Sequence, residues 1–147
     1  MPIHLPDINV LIALHDTDHV HHSIASDWLQ KATLSGWATC SITEIGLVRL
    51  LAHPSIPNHV TNPQIAASYL VDLKSRHSHS FHFLSDTVEF TDLSIFNHQN
   101  IQGHKQITDT YLLGLCQKHG ATLVTLDTRL STRAIKNPHA RLLRLLH

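Results

Sequence analysis

Residues 105–127 read KQITDTYLLGLCQKHGATLVTLD, and this stretch indicates the fold of the whole chain. Apolar side chains recur at helical spacing in its first half, so Asp109–His119 is predicted to be an amphipathic helix. Thr108 is expected to cap the start of this helix, and Gly120 stands where a left-handed residue commonly ends one. Thr122–Leu126 is a short, β-branched and apolar run, which is typical of a buried parallel strand. The stretch therefore predicts a helix that leads into a parallel strand.

This order of elements fixes where two acidic residues lie. A helix before a parallel strand runs from the carboxyl edge of the sheet to its amino edge, and the strand runs back. Asp109 at the helix start and Asp127 after the strand are therefore predicted at the same edge. Open α/β sheets place their ligand sites at that edge.

Helical and strand patterns alternate along the rest of the chain. The other predicted strands are Ile3–Pro6, Trp37–Cys40, Phe81–Leu84 and Arg141–Leu146. The other predicted helices are Asn9–His15, His19–Ala32, Ile42–Ala52 and Pro63–Arg76, with one or two helical turns over Thr128–Ala134. Pro54 and Pro57 are expected to break the chain before the Pro63 helix. This alternation predicts one α/β domain over residues 1–147, with three α/β/α layers and a mainly parallel sheet of four to five strands.

Length and composition restrict the class of protein. The 147 residues carry 11 Lys and Arg against 11 Asp and Glu, so bulk charge gives no footprint for nucleic acid. The 15 histidines would add about +3 to +4 at pH 7 if all were exposed. The longest apolar runs are too short to span a bilayer, and the N-terminus lacks the features of a signal peptide. Cys40 and Cys116 lie at predicted core positions, so we expect buried free thiols in a soluble cytoplasmic protein.

Four carboxylates are predicted at the carboxyl edge of the sheet. Asp7 follows the first strand and Glu44 lies in the first turn of the helix after the second strand, so both join Asp109 and Asp127. Clustered carboxylates repel and raise one another's pKa unless a cation lies between them. Mg²⁺ and Mn²⁺ prefer such oxygen ligands, and a metal held there lowers the pKa of water and stabilises charge on a phosphoryl group. The predicted reaction class is hydrolysis of a phosphodiester.

Helix capping explains each acid separately. Glu44 closes the pattern Ser41-Ile-Thr-Glu44, which is typical of a capping box, and Asp109 suits the positive end of a helix dipole. Asp7 and Asp127 suit helix caps. A non-catalytic interaction module whose acids only cap helices is therefore the first alternative. The second is a metal-dependent phosphatase for small molecules, which would need an enclosed pocket.

Four segments carry a resemblance to a known family. They are LPDINVLIAL (5–14), HVHHSIASDWL (19–29), CSITEIGLVRLL (40–51) and GHKQITDTYLLGLCQKHGATLVTLD (103–127). In this order they resemble the PIN-domain family, and within it the VapC-type ribonuclease toxins of bacterial toxin–antitoxin pairs. The resemblance implies a sheet flanked by helices, a Mg²⁺- or Mn²⁺-dependent endoribonuclease acting on RNA, a homodimer, and a small antitoxin whose C-terminal segment covers the active site.

The resemblance also assigns roles to individual residues. Asp7 matches the acid of the first strand, and Asn9 matches its neighbour in the D-x-N pattern, where it would orient Asp7 or a bound water. Glu44 matches the acid of the T-E-x-x-x-x-R segment, Asp109 that of T-D-x-Y-L, and Asp127 that of L-x-T-x-D. These four acids are the predicted catalytic and metal-binding residues.

Several residues close in sequence to these acids have two possible roles each. Thr108 and Thr125 flank two of the acids, and each either hydrogen-bonds a metal-bound water or only caps and packs. Arg129 and Arg133 lie one turn apart after Asp127, where they either contact the RNA backbone or form a solvated face. His104 and Lys105 have the same two readings. The histidines at 19, 21 and 22 fit no closed zinc pattern.

Overall fold

A computed structural model describes residues 2–56 and 62–147 of the chain. Within these residues the strands are β1 (His4–Pro6), β2 (Trp37–Thr39), β3 (Phe81–Phe83), β4 (Thr122–Thr125) and β5 (Leu143–Leu145). The α-helices are α1 (Ile8–His15), α2 (His22–Ala32), α3 (Ser41–Leu51), α4 (Pro63–Arg76) and α5 (Ile107–His119). Single 3-10 turns cover Ser78–Ser80, His98–Asn100 and His104–Gln106. Pro57 lies outside the described residues.

The five strands form one sheet in the order β3-β2-β1-β4-β5, and every pairing is parallel. In the central pair, His4 lies opposite Thr122 and Pro6 lies opposite Val124. The backbone N–H of Asp7 then donates to the Val124 carbonyl oxygen at 2.8 Å, although Pro6 itself has no donor. The prediction of an α/β fold with a mainly parallel sheet of four to five strands is confirmed.

The sheet separates two hydrophobic cores, because successive strand residues point to opposite faces. One core joins α1, α2, α3 and α4 to the sheet face that carries Trp37 and Val124. The other joins α5 and the irregular segments around Phe96 and Ile135 to the face that carries Leu5 and Leu123. Cys40 and Cys116 are buried free thiols in this second core. Helices therefore cover both faces, as three layers require. In the described part of the chain no helix is long and apolar enough to cross a membrane.

Two predicted helical segments are turns, and local side-chain hydrogen bonds explain both differences. Helix α2 begins at His22 rather than His19, because Nδ1 of His19 accepts from the backbone N–H of His21 at 3.0 Å. The segment Thr128–Ala134 forms turns rather than helix. There Asp127 Oδ1 accepts from the Arg129 N–H, and Ser131 Oγ accepts from the Arg133 N–H. Such bonds offer the backbone an alternative to helix.

The prediction for helix α5 is correct at its C-terminal end and wrong at its N-terminal end. Gly120 ends the helix in the left-handed region at φ +64°, as predicted. At the other end the prediction for Thr108 is wrong, because α5 begins at Ile107 and Gln106 occupies the cap position. The preceding 3-10 turn leads directly into the helix and moves its start back. Thr108 is exposed and makes no side-chain hydrogen bond within the described residues.

Four histidines join separate segments of the fold by hydrogen bonds to the backbone. A ring nitrogen of each lies within hydrogen-bond distance of a backbone carbonyl oxygen, and a carbonyl only accepts, so the ring donates. The pairs are His22 with Ala13 at 2.7 Å, His98 with Phe90 at 2.7 Å, His119 with Ser85 at 3.2 Å and His139 with Ala121 at 3.0 Å. These four of the 15 histidines therefore serve structure.

Candidate active site

Asp7 connects the first strand to the first helix and is 5% exposed. Its Oδ1 accepts from the backbone N–H of Ile8 at 2.7 Å, so Asp7 caps α1 as the simpler reading predicted. Burial raises the pKa of the Asp7 carboxyl above its ordinary value, the hydrogen bonds from Ile8 and Thr125 oppose that shift, and the charge of Asp127 adds to it. A helix cap does not require a buried carboxyl group with a raised pKa, so capping does not account for this environment.

The Thr125 hydroxyl is the centre of a network at the end of β4. It donates to Asp7 Oδ2 at 3.1 Å and accepts from Asn9 Nδ2 at 3.2 Å and from the Asp127 N–H at 3.1 Å. Asn9 Oδ1 accepts from the Leu126 N–H at 3.2 Å, which fixes the orientation of the Asn9 amide. Asn9 therefore acts on Asp7 through Thr125 in this structure, rather than by direct contact.

Asp109 lies in the first turn of α5 and is partly buried. Burial raises the pKa of its carboxyl to about 6, with further contributions from the negative charges of Asp7 and Asp127 and an opposing one from Arg129. The structure thus brings Asp7, Asp109 and Asp127 close enough for their charges to act on one another. The predicted convergence at the carboxyl edge holds for these three acids.

Asp127 has the opposite electrostatic environment. The Arg129 backbone N–H donates to Asp127 Oδ1 at 2.9 Å, and the Arg129 Nε donates to the same oxygen at 3.2 Å. The backbone hydrogen bond, with smaller contributions from the guanidinium, lowers the pKa of the Asp127 carboxyl. Asp127 is therefore the acid of the three that stays ionised to the lowest pH, beside two whose ionised forms are disfavoured.

Glu44 is held by a partner that the sequence did not indicate. Its Oε2 lies 2.6 Å from Lys74 Nζ, and the Thr39 hydroxyl donates to the same oxygen. Both ends of this ion pair are largely buried, with side-chain exposures of 27% for Lys74 and 21% for Glu44. The Lys74 ammonium also lies 4.9 Å from the centre of the Phe81 ring. The charge of Glu44 is thus already countered within the protein.

The capping-box reading of Glu44 is wrong. The capping box of α3 is one residue earlier, with Cys40 at the cap and Thr43 at the third helical position. The Thr43 hydroxyl accepts from the Cys40 N–H at 3.1 Å, and Ser41, the cap that the prediction required, is instead the first residue of the helix. Glu44 is left to interact with side chains of other elements.

A cleft of about 220 Å³ opens beside two of the acids. Its lining combines Asp109 and Asp127 with amide, hydroxyl and cationic side chains, among them Gln106, Ser131, Lys105 and Arg129. Lys105 and Arg129 are exposed, so the cleft is reached directly from solvent. Glu44 lines a separate, mostly apolar depression between α3 and α4.

Sequence reasoning missed two residues of this region and left a third undecided. Lys74 carried no signal, because its partner Glu44 is 30 positions away and belongs to another helix. Thr125 was weighed only as a neighbour of Asp127, although it bonds to Asp7 as well. Arg129 was weighed as an RNA contact or as part of a solvated face, whereas its backbone and side chain both bind Asp127.

The acid cluster fits a hydrated divalent cation. In residues 2–56 and 62–147, no three His, Cys, Asp or Glu side chains converge tightly enough to be direct ligands of one ion. Mg²⁺ commonly keeps several waters and takes only one or two carboxylates from the protein, so it does not require three direct ligands. The raised pKa values of Asp7 and Asp109 show the unfavourable charge that a cation would relieve.

The chain is similar to a known family and to known proteins over most of its length. The PIN domain family model matches residues 5–136. Two proteins of Mycobacterium tuberculosis, Ribonuclease VapC44 and Ribonuclease VapC39, are each 37% identical to this chain. The first match covers 133 residues, 89% of this chain and 90% of that protein, and the second covers 130 residues, 88% and 92%. Ribonuclease VapC29 of the same organism is 38% identical over 127 residues.

A solved structure shares the fold. It is the crystal structure of VapBC2 from Rickettsia felis bound to a DNA fragment from their promoter. The superposition has a TM-score of 0.58 and covers 86% of this chain and 89% of that one, at 13% sequence identity. At this identity the likeness supports the fold alone.

Proposed function

Because the chain belongs to the PIN domain family, we propose that it is the ribonuclease toxin of a toxin–antitoxin pair, an endoribonuclease that depends on Mg²⁺ or Mn²⁺. Relatives named ribonucleases match about nine-tenths of its length. The observation that carries the proposal is the convergence of Asp7, Asp109 and Asp127, two of them with raised pKa values, at the carboxyl edge of the sheet. Capping alone gives no reason for acids from three different parts of the fold to meet.

The four acids Asp7, Glu44, Asp109 and Asp127 would hold the metal, directly or through water. A bound Mg²⁺ or Mn²⁺ supplies Lewis-acid chemistry, which activates water and stabilises charge on the phosphoryl group of the RNA. Glu44 would act from the edge of the site, because Lys74 already counters its charge.

The chain's own residues organise this site. Thr125 and Asn9 hold the Asp7 carboxylate in one orientation through the hydroxyl network. The Asp127 carboxylate is kept ionised by the Arg129 N–H and guanidinium. The Asp109 carboxyl, with a pKa near 6, is ionised at neutral pH but at a cost that a cation offsets. Thr108, exposed in the first turn of α5, remains a candidate for contact with bound water.

The toxin part of the proposal concerns partners. The relatives are VapC proteins by name, and the structure of similar fold is a VapBC assembly. We therefore expect this chain to form a homodimer and to bind a small antitoxin encoded beside it in a cytoplasmic complex. An acid-lined cleft offers an anchor for an arginine of that antitoxin, since a guanidinium pairs well with carboxylates.

The test is cleavage of single-stranded RNA by the purified chain, with the new ends mapped by sequencing. We expect cutting with Mg²⁺ or Mn²⁺, none in EDTA, and none by Asp109→Asn. Asp27→Asn is the matched control, because Asp27 is an exposed carboxylate on α2, away from the cluster. Undiminished cleavage in EDTA, or by a folded Asp109→Asn protein, would contradict the proposal.

The same preparation separates the toxin reading from a small-molecule phosphatase. A cleft lined by exposed cations suits a polymer better than an enclosed substrate. We expect growth arrest on expression of the chain and relief on co-expression of the adjacent small gene, with copurification of the two products. Release of phosphate from small phosphomonoesters without RNA cleavage would favour the phosphatase.

A further inference from the structure

A second polar groove, of about 180 Å³, continues from the acid cleft. The two depressions share Gln106, Arg129 and Ser131 in their walls. This second depression, the side groove, extends from these residues to Asn100 and Arg133. A chain-like ligand at Asp109 and Asp127 therefore has a direct path into the side groove.

The two walls of the side groove are fastened to each other. Asn100 Nδ2 donates to the Arg133 carbonyl oxygen at 2.9 Å, and the Asn97 N–H donates to the Ala134 carbonyl oxygen at 2.8 Å. Phe96 and Ile135 add an antiparallel bridge below them. The groove is thus shaped before any ligand binds, which lowers the entropy lost on binding.

Gln106 presents one kind of hydrogen-bonding group to the side groove. Its Oε1 accepts from the backbone N–H of Gln102 at 3.0 Å. A backbone N–H only donates, so the amide oxygen is the atom that faces Gln102, and the amide NH₂ makes no hydrogen bond to a described residue. Gln106 therefore offers two donors at the groove, which suit a carbonyl or ring-nitrogen acceptor.

Two guanidinium groups supply positive charge along the side groove. The Arg133 side chain makes no hydrogen bond or ion pair with the rest of the described chain. Arg129 uses only its Nε on Asp127, so its terminal nitrogens make no hydrogen bond to a described residue. Guanidiniums bind phosphate oxygens in pairs of hydrogen bonds. The guanidiniums suit the phosphate of a nucleotide, and the Gln106 NH₂ suits an acceptor on its base.

We propose that the side groove binds one nucleotide of single-stranded RNA beside the phosphate that is cut. Arg133 contacts the backbone phosphate of that nucleotide, and the Gln106 NH₂ donates to an acceptor on its base. This proposal rests on the ribonuclease function proposed above. It assigns the sequence preference of cleavage to the one nucleotide that occupies the side groove. Single strands are the form of RNA in which a base edge is free to enter such a groove.

The phosphate contact is tested by binding of a fluorescent single-stranded RNA oligonucleotide in EDTA, measured by anisotropy at several salt concentrations. We expect Arg133→Ala to weaken binding of every sequence and to make the slope of log K against log[salt] shallower by about 0.7, the value for one phosphate on a single strand. Arg141→Ala is the matched control. Arg141 lies with Gly120 at the far end of α5, about 20 Å from its start.

The base contact is tested by Gln106→Glu with Mg²⁺ present. Glutamate keeps an oxygen for the Gln102 N–H but replaces the NH₂ donors with an acceptor. We expect the preference at one nucleotide beside the cut to move by about tenfold or more toward bases that present an amino group. Preferences are taken as ratios of cleavage rates between oligonucleotides, so a general loss of rate does not affect them.

The outcomes separate the two proposals. If the wild-type chain cuts RNA but Arg133→Ala binds like Arg141→Ala, the side groove does not hold the backbone. If the profile of cut sites is the same for Gln106→Glu and wild type, it does not read the base. Either result overturns this proposal and leaves the ribonuclease function standing. If the wild-type chain neither binds nor cuts RNA, both proposals fall.

Discussion

The Thr125 hydroxyl donates a hydrogen bond to Oδ2 of Asp7 at 3.1 Å, and this contact joins the carboxyl ends of β4 and β1. The Thr125 hydroxyl oxygen itself accepts two hydrogen bonds, from the Asn9 side chain and from the backbone N–H of Asp127. A hydroxyl has one donor and two acceptor positions, so every one of them is used. The network ties an acid of the first strand to an acid after the fourth.

Replacement of Thr125 by valine should therefore be costly. The change keeps the shape of the side chain but leaves the Asn9 amide and the Asp127 N–H without an acceptor and Oδ2 of Asp7 without a donor. We expect a loss of about 1–3 kcal/mol in the free energy of unfolding, and a loss of RNA cleavage because Asp7 is no longer oriented. Thr125→Ser should retain both properties. Denaturant unfolding and RNA cleavage are the measurements.

The matched control is Thr122→Val in the same strand. Thr122 is 4% exposed, and its hydroxyl has no hydrogen-bond partner among the described residues. Removal of an unsatisfied buried hydroxyl should leave stability unchanged or raise it. Equal effects of the two valine substitutions would show that the Thr125 network does not form.

Asp109→Asn separates metal chemistry from helix capping. If Asp109 only faces the helix dipole, the change costs a few tenths to about 1 kcal/mol and leaves activity intact. We expect instead that the metal-free protein is as stable or more stable, because burial and two like charges no longer act on a carboxylate. RNA cleavage should fall by several orders of magnitude, and the rise in Tm on addition of Mg²⁺ should disappear. Thermal unfolding with and without Mg²⁺ measures the stability, and full cleavage by the folded variant would restore the capping explanation.

Asp7→Asn should also abolish cleavage but should differ in stability. Asparagine still caps α1 through its amide oxygen, since it is as good a cap as aspartate. Its NH₂ then faces the Thr125 hydroxyl, whose two acceptor positions are already filled by Asn9 and Asp127. We therefore expect metal-free Asp7→Asn to be less stable than metal-free Asp109→Asn in the same unfolding assay. The reverse order would mean that relief of the buried charge outweighs the conflict of donors.

The raised pKa of Asp109 predicts a pH dependence in the metal-free protein. Its pKa is about 6 in the folded chain and near 3.8 in the unfolded one, so the folded state binds more protons between these values. The free energy of unfolding of wild type, relative to Asp109→Asn, should therefore fall as pH rises from about 4 to 6 and then level off. Urea unfolding of both proteins in EDTA across this range is the measurement. A difference that does not change with pH would show that the pKa of Asp109 is not raised in the folded protein.

The Lys74–Glu44 pair predicts that Glu44 behaves differently from Asp109. Glu44→Gln leaves the largely buried Lys74 ammonium without its counter-charge, so we expect a loss of about 1 kcal/mol, and Lys74→Met should recover most of it. The Mg²⁺-induced rise in Tm should shrink less in Glu44→Gln than in Asp109→Asn, because Glu44 adds less uncompensated charge. A double-mutant cycle measures the coupling. Zero coupling would mean that the ion pair does not form in solution.

Local pattern was sufficient for most of the fold. The β-branched run at Thr122–Thr125 and the glycine at 120 each specify their element through local backbone geometry. The predictions were wrong around His19 and after Asp127. In both segments a side chain hydrogen-bonds to the nearby backbone and competes with helix formation. Helical spacing does not register this competition, because it counts apolar positions only.

The sequence by itself determined that Asp7, Asp109 and Asp127 share an edge, because parallel strands joined through helices return every strand end to the same side of the sheet. Only the tertiary structure decided how each acid is used there. Glu44 pairs with Lys74 from α4, and Thr125 links two strand ends that are 118 positions apart. Such contacts depend on distances between elements, and these are set by the packing of the two cores rather than by the order of residues along the chain.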